Sequence, residues 1–230
     1  LNNMINFKLN KKDKIFCIGF NKTGTTSLGS FFEQNNYPVA NQQAGELLLK
    51  SYLKRDFNEI IKFCSSKNDV VFQDVPFSLP YTYQHLFTKF PNSKFILTIR
   101  NSPEEWYESI LKFHSNFYNN GKLPTAESLK KSNYVYEGWS WDLMNGVYFN
   151  NNDILYDKQS LINKYTHHIE TVLDYFKNNK TNLLVINVAV NKDFDRLCEF
   201  LSIKTNQTGF PKITSDDIVN KNYACNFLKN

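Results

Sequence analysis

Lys14-Ile-Phe-Cys-Ile-Gly-Phe20, then Asn21-Lys-Thr-Gly-Thr-Thr26, then Ser27-Leu-Gly-Ser-Phe-Phe-Glu-Gln34 follow one another without a break. The first segment is apolar on both faces, as a strand in the middle of a parallel sheet must be. The last reads as a helix. Between them, Gly24 permits a tight turn whose backbone N–H groups point inward, and the helix N-terminus adds its partial positive charge. The hydroxyls of Thr25, Thr26 and Ser27 and the ammonium of Lys22 complete a pocket suited to a phosphate. The order differs from G-x-x-x-x-G-K-[ST], because Lys22 sits two residues before Gly24 rather than directly after the last glycine. A lysine on that side approaches the anion from across the loop. The plain alternative is a polar turn with a solvated lysine. Residue types and strand–helix context together favour the phosphate loop.

Outward from this turn, short β-branched runs alternate with amphipathic stretches, the pattern of an α/β domain with a central parallel sheet flanked by helices. Strands are expected at Asp69–Asp74, Lys94–Arg100 and Leu183–Ala189. A helical period runs through Leu49, Leu53, Phe57, Ile60, Ile61 and Cys64. Another helix covers Tyr83 to Phe90. Ser102-Pro-Glu-Glu opens the next one, with Ser as N-cap, Pro at the first helical position and acid in the first turn. A long helix is expected from Asp157 through Phe176, and a further one over Asp193–Leu201, with a loop-like tail from Thr205. Residues 117–150 lack a clear period and carry Tyr134, Tyr136, Trp139, Trp141, Tyr148 and Phe149. Such rings line acceptor pockets or pack a lid onto a core. Residues 1–230 are read as one domain.

Composition excludes several classes. With 41% hydrophobic and 21% charged residues, the chain is globular rather than disordered. A formal charge of +5 suits an anionic ligand but is too small and dispersed for a nucleic-acid partner. No segment reaches the ~18 consecutive apolar residues of a membrane span, and Leu1–Lys14 lacks a signal peptide's apolar core. Cys17, Cys64, Cys198 and Cys225 lie far apart without metal-ligand spacing. Reduced thiols and a cytoplasmic location are therefore expected. No His/Cys/carboxylate cluster suggests a metal.

Lys22-Thr-Gly-Thr-Thr-Ser-Leu28 after a strand resembles the 5′-phosphosulfate loop of the sulfotransferases that use 3′-phosphoadenosine 5′-phosphosulfate (PAPS). A second segment, Lys94-Phe-Ile-Leu-Thr-Ile-Arg100 followed by Asn101-Ser-Pro-Glu-Glu-Trp106-Tyr-Glu-Ser109, is similar to that family's 3′-phosphate segment. There an Arg at a strand's end and a Ser in the next helix hold the phosphate; a guanidinium can clamp phosphate oxygens bidentately. Taken alone, Arg100 could equally be an ion-pair partner of Glu104 or Glu105. Looser likeness continues through Tyr165-Thr-His-His168, Leu183–Val188 and Leu197–Leu201 to Phe210-Pro211, so the resemblance, to a bacterial-type branch, spans about residues 14–212.

The resemblance implies a P-loop-kinase-like sulfotransferase fold. It also implies a donor site of Lys22, Thr23, Gly24, Thr25, Thr26, Ser27, Arg100 and Ser109, with PAPS as donor and 3′-phosphoadenosine 5′-phosphate as product. Gln73-Asp74-Val75-Pro76 stands where the cytosolic enzymes carry His-x-Pro, whose His is the base; other branches use an acid there. Asp74 is the matching residue, with helix capping as its structural alternative. Burial must raise its pKa from ~3.9 for it to serve as a base. Two family features are missing: Ser27 replaces the adenine-stacking Trp, and no late Arg-Lys-Gly loop is seen. His85 and His114 could take the base role if the fold brings either to Asp74. His85, His114, His167 and His168 otherwise read as surface or packing residues, and Trp106 as packing. The expected partner is a small-molecule or carbohydrate acceptor. The alternatives are a P-loop kinase or NTPase with a deviant loop, and a non-catalytic nucleotide-binding module.

Overall fold

The computed structural model describes residues 13–66, 68–149 and 154–213. Cys225 and the opening through residue 12 lie outside them. Four parallel strands, β1 (Ile15–Cys17), β2 (Val71–Phe72), β3 (Lys94–Thr98) and β4 (Leu183–Ile186), form one sheet in the order β2-β1-β3-β4. The α/β fold with a central parallel sheet is as the sequence implies. Because β2 lies on one side of β1 and β3 on the other, the strand order switches sides at β1, and ligands of such sheets gather at the strands' carboxyl ends there. Helices α1 (Thr25–Gln34), α2 (Gln42–Glu46), α3 (Leu49–Leu53), α4 (Phe57–Cys64) and α5 (Thr82–Lys89) come before β3; α6 (Pro103–Tyr118), α7 (Ala126–Lys131), α8 (Trp139–Leu143), α9 (Lys158–Tyr175) and α10 (Asn191–Leu201) follow it.

The described residues divide into two compact units, 13–99 with 168–210 and 100–167 with 211–213. The first holds the sheet. Period-2 alternation sends Ile15, Cys17 and Ile96 to one face, where Leu28, Phe31 and Phe32 of α1 and Phe194, Leu197 and Leu201 of α10 bury them. On the other face, Phe16 meets Phe72, Phe95 and Phe90 at 5.3–5.8 Å between ring centroids, and Phe95 meets Phe176 at 4.9 Å. This second face accounts for much of the chain's high phenylalanine content. The single helical period expected between Leu49 and Cys64 is instead two short helices, α3 and α4. Arg55 takes a left-handed φ of 60°, and Asp56 caps α4 by accepting from the Asn58 N–H at 3.2 Å, so the local capping chemistry interrupts the apolar stripe.

In the second unit, Ser102 caps α6 as expected, its Oγ accepting from Glu105 N at 3.1 Å. Trp106 is fully buried and stacks on Tyr165 at 4.7 Å with a 10° interplanar angle. Residues 117–149 hold more order than their sequence suggests. Thr125 and Ser128 close a reciprocal capping box at α7, and Met144–Tyr148 make a π-helical turn. Of the six aromatics expected at an acceptor pocket or lid, Trp139, Tyr148 and Phe149 are buried, while Tyr134, Tyr136 and Trp141 reach the surface.

Removing an indole from this stack leaves a cavity as well as lost transfer energy. Trp106→Ala is expected to cost about 3–5 kcal/mol, measured by urea unfolding, and a loss under 1 kcal/mol would contradict the packing role.

Candidate functional site

The turn from β1 into α1 is built by two close backbone approaches. A Cβ at Gly19 would lie 2.1 Å from Thr98 Oγ1 and 2.4 Å from Thr98 O, so only glycine lets β1 leave the sheet this close to β3. Gly24 has φ 98°, and a Cβ there would meet Val188 Cγ2 at 2.1 Å. Thr23 is wholly buried: its hydroxyl donates to Phe20 O at 2.5 Å and contacts Thr98 Oγ1 at 2.6 Å. Its N–H donates to Phe20 O at 3.3 Å. Thr23 thus holds the turn in shape, with both its hydroxyl and its N–H engaged inside the protein.

Gly24 is the N-cap of α1, and no side chain caps that helix. The first N–H groups of a helix have no intrahelical partner, and no side chain takes their place at α1. Thr25 and Ser27 are largely buried and Thr26 is exposed. Lys22 is half-buried and held at φ 70°, a backbone region that costs a non-glycine residue roughly 1–3 kcal/mol. Behind the loop stands His168. Its Nε2 lies 2.8 Å from Ile18 O, and its ring stacks on Phe20 at 4.2 Å. This packed histidine braces the strand's exit. Its position in α9 gave no sign of that in the sequence, since the contact spans 150 residues.

Asp74 follows β2 and also takes a left-handed φ, 62°. The Val75–Pro76 peptide bond after it is cis. Asp74 Oδ1 accepts from Asn21 Nδ2 at 2.6 Å and from Val75 N at 2.9 Å, and Oδ2 lies 3.4 Å from Gln42 Nε2. Asp74 does not cap α5, which begins at Thr82. Burial raises its pKa above the ordinary carboxylate value; the bonds from Val75 and Asn21 and the charge of Lys22 partly oppose that rise. A carboxyl destabilised as an anion is a better proton acceptor than a solvated one. His85 is occupied elsewhere, stacked on Phe57 at 3.8 Å.

In the second unit, Arg100 and Ser109 come together. Arg100 Nη2 donates to Ser109 Oγ at 3.4 Å, and Nη1 meets Glu105 Oε1 at 3.3 Å. Arg100 is therefore both an ion-pair partner and a neighbour of Ser109, with Glu105 the carboxylate, rather than Glu104. The backbone at Arg100 is fixed by its N–H donating to Tyr165 Oη at 2.9 Å. His114 is engaged with Tyr156 Oη at 2.9 Å.

Among the described residues no group of three or more His, Cys, Asp or Glu could hold a metal ion, and no helix is long and apolar enough to cross a membrane. Cys17, Cys64 and Cys198 are free thiols, and burial raises the pKa of each. A family model described as a sulfotransferase domain matches residues 14–218. No curated protein matches the chain.

A folded-state pKa above the unfolded value of 3.8 means that ionised Asp74 opposes folding. That opposition is fully present above the folded pKa and vanishes once pH falls below the unfolded one. Asp74→Asn is expected to melt higher than the wild type at pH 7, with the two converging below about pH 4. A wild type that is more stable at pH 7 would contradict the burial argument.

Proposed function

The chain belongs to the sulfotransferase domain family, and we propose that its donor is PAPS and its acceptor a hydroxyl or amine of a small molecule or carbohydrate. Sulfonyl transfer is the family's chemistry. The observation that carries the finer reading is the uncapped N-terminus of α1, which adjoins Lys22 and is linked through Asn21 to a carboxylate whose pKa burial raises. An anion-binding turn beside a base is what sulfonyl transfer from a phosphosulfate requires.

In this reading the N–H groups of Gly24, Thr25, Thr26 and Ser27, with the hydroxyls of the last three, receive the 5′-phosphate. Thr23 keeps those groups in register. Lys22 places its ammonium where negative charge grows on the leaving oxygen, an interaction stronger in the transition state than in the ground state. Asp74 removes the acceptor's proton. Arg100 and Ser109 serve the 3′-phosphate, with the Arg100 fork oriented by Glu105 and its backbone by Tyr165. PAPS supplies the electrophilic sulfur; every other part comes from the chain, and no metal is required by this residue set.

The test is turnover of 35S-labelled PAPS against a panel of phenols, sugars and amines. Lys22→Ala is expected to lower turnover roughly 100-fold or more, the scale of losing one transition-state donor. Asp74→Asn should keep nucleotide binding and lose most transfer. An unchanged turnover number in Lys22→Ala would remove the lysine from the mechanism.

Arg100→Lys replaces a planar fork by a point charge. It is expected to weaken binding of 3′-phosphoadenosine 5′-phosphate by about tenfold or more, the loss of one charge-assisted bond, while AMP binding is unaffected. Equal losses for both nucleotides would take Arg100 away from the 3′-phosphate.

A further inference from the structure

The phosphate loop and the Asp74 turn are joined by one side chain. Asn21, the residue before Lys22, donates from Nδ2 to Asp74 Oδ1 at 2.6 Å. Its own Oδ1 accepts from Ser78 Oγ at 3.3 Å. Ser78 belongs to the same turn as Asp74, its N–H donating to Asp74 O at 2.9 Å. Asn21 therefore reaches that turn at two points. The bond also spans two residues in left-handed backbone, Lys22 beside Asn21 at φ 70° and Asp74 itself at φ 62°, a conformation that persists only where surrounding contacts enforce it.

The two oxygens of Asp74 are not equivalent. Oδ1 takes two donors, Asn21 Nδ2 and Val75 N. Oδ2 faces Gln42 Nε2 at 3.4 Å, long for an N–H···O bond. That same nitrogen is held at 2.9 Å by Glu46 Oε1. A proton arriving at Oδ1 would face two donors and displace at least one of them. At Oδ2 it displaces one weak contact, and Oδ1 keeps its partners.

We infer that Asn21 is a positioning residue that ties the phosphate loop to the acceptor's base, fixing Asp74 Oδ1 and leaving Oδ2 as the oxygen that takes the proton. This rests on the reading of Asp74 as base in sulfonyl transfer. The acceptor's O–H or N–H proton passes to Oδ2. The freed lone pair forms the new bond to sulfur as the sulfur–oxygen bond to the 5′-phosphate breaks, and that bond's electron pair leaves on the phosphate oxygen. Asp74 then returns its proton to water. One amide thereby fixes the base relative to the lysine that stabilises the leaving group, which is the alignment an in-line displacement needs. The charged groups around Asp74 are Lys22 on the loop and Glu46 on α2, the latter behind Gln42.

The experiment is a 13C-carboxyl NMR titration of Asp74, with Asp74→Asn identifying the signal. Asn21→Ala takes a donor from the ionised carboxylate, so the Asp74 midpoint should rise by about half a pH unit or more, about a threefold gain in proton affinity. Calorimetry on the same samples should find the affinity for 3′-phosphoadenosine 5′-phosphate within about twofold of the wild type. Asn21→Ser gives the same reading should the alanine variant fail to fold. An unchanged Asp74 midpoint in a folded variant overturns the inference. So does a parallel loss of nucleotide affinity of tenfold or more, which would make Asn21 part of the nucleotide site. A wild type that binds no nucleotide while the midpoint still moves leaves the Asn21 link standing and refutes the donor assignment instead.

Discussion

The absence of a side chain at Gly19 lets the end of β1 press against Thr98 of β3, and the site depends on that contact. With β1 buried between β2 and β3, the chain has no lateral way out and must turn at once into α1. The turn is closed from inside by Thr23, bonded to Phe20 O and Thr98 Oγ1, and from behind by Val188 against Gly24. No side chain is left to cap α1. A helix terminus without a side-chain cap at the sheet's carboxyl edge is thus a consequence of how tightly the central strand is packed, and Lys22 and Asn21 are carried there by the same turn.

Asp74 illustrates the opposing demands on a carboxylate proposed as a base. Burial favours its neutral form; Asn21, Val75 and the charge of Lys22 favour the anion. The net rise leaves a carboxylate more basic than one in water yet still held by specific donors. A histidine would meet a base's requirement without burial; an acid proposed for that role needs the burial that raises the pKa of Asp74. The strained backbone at Asp74 and Lys22 lies where the chemistry is proposed, and His168 packs against the end of β1 through Ile18 and Phe20.

What the sequence made legible follows from the range of each interaction. The four strands, the α6 cap at Ser102 and the turn from β1 into α1 are written in residues a few positions apart, and each is found where its local pattern puts it, with strand ends trimmed by up to three residues. The break at Arg55 was hidden because the apolar spacing continues across it; Asp56 as a cap was the available signal. Thr23 looked like a fourth hydroxyl for the phosphate, and its inward turn depends on Thr98, 75 residues away. Asn21 gave no signal at all, since its role is defined by Asp74 at a separation of 53 residues. Partners brought together by the sheet order, rather than by local period, were the part that required the structure.

The central claim is that this chain binds a 3′-phosphorylated adenine nucleotide. Isothermal titration with 3′-phosphoadenosine 5′-phosphate, AMP and ATP with Mg²⁺ tests it most directly. The account predicts binding of the first at least tenfold tighter than AMP, roughly the worth of one added charge-assisted phosphate contact, with no requirement for Mg²⁺. Tight binding of ATP with Mg²⁺ and none of the 3′-phosphorylated nucleotide would contradict it.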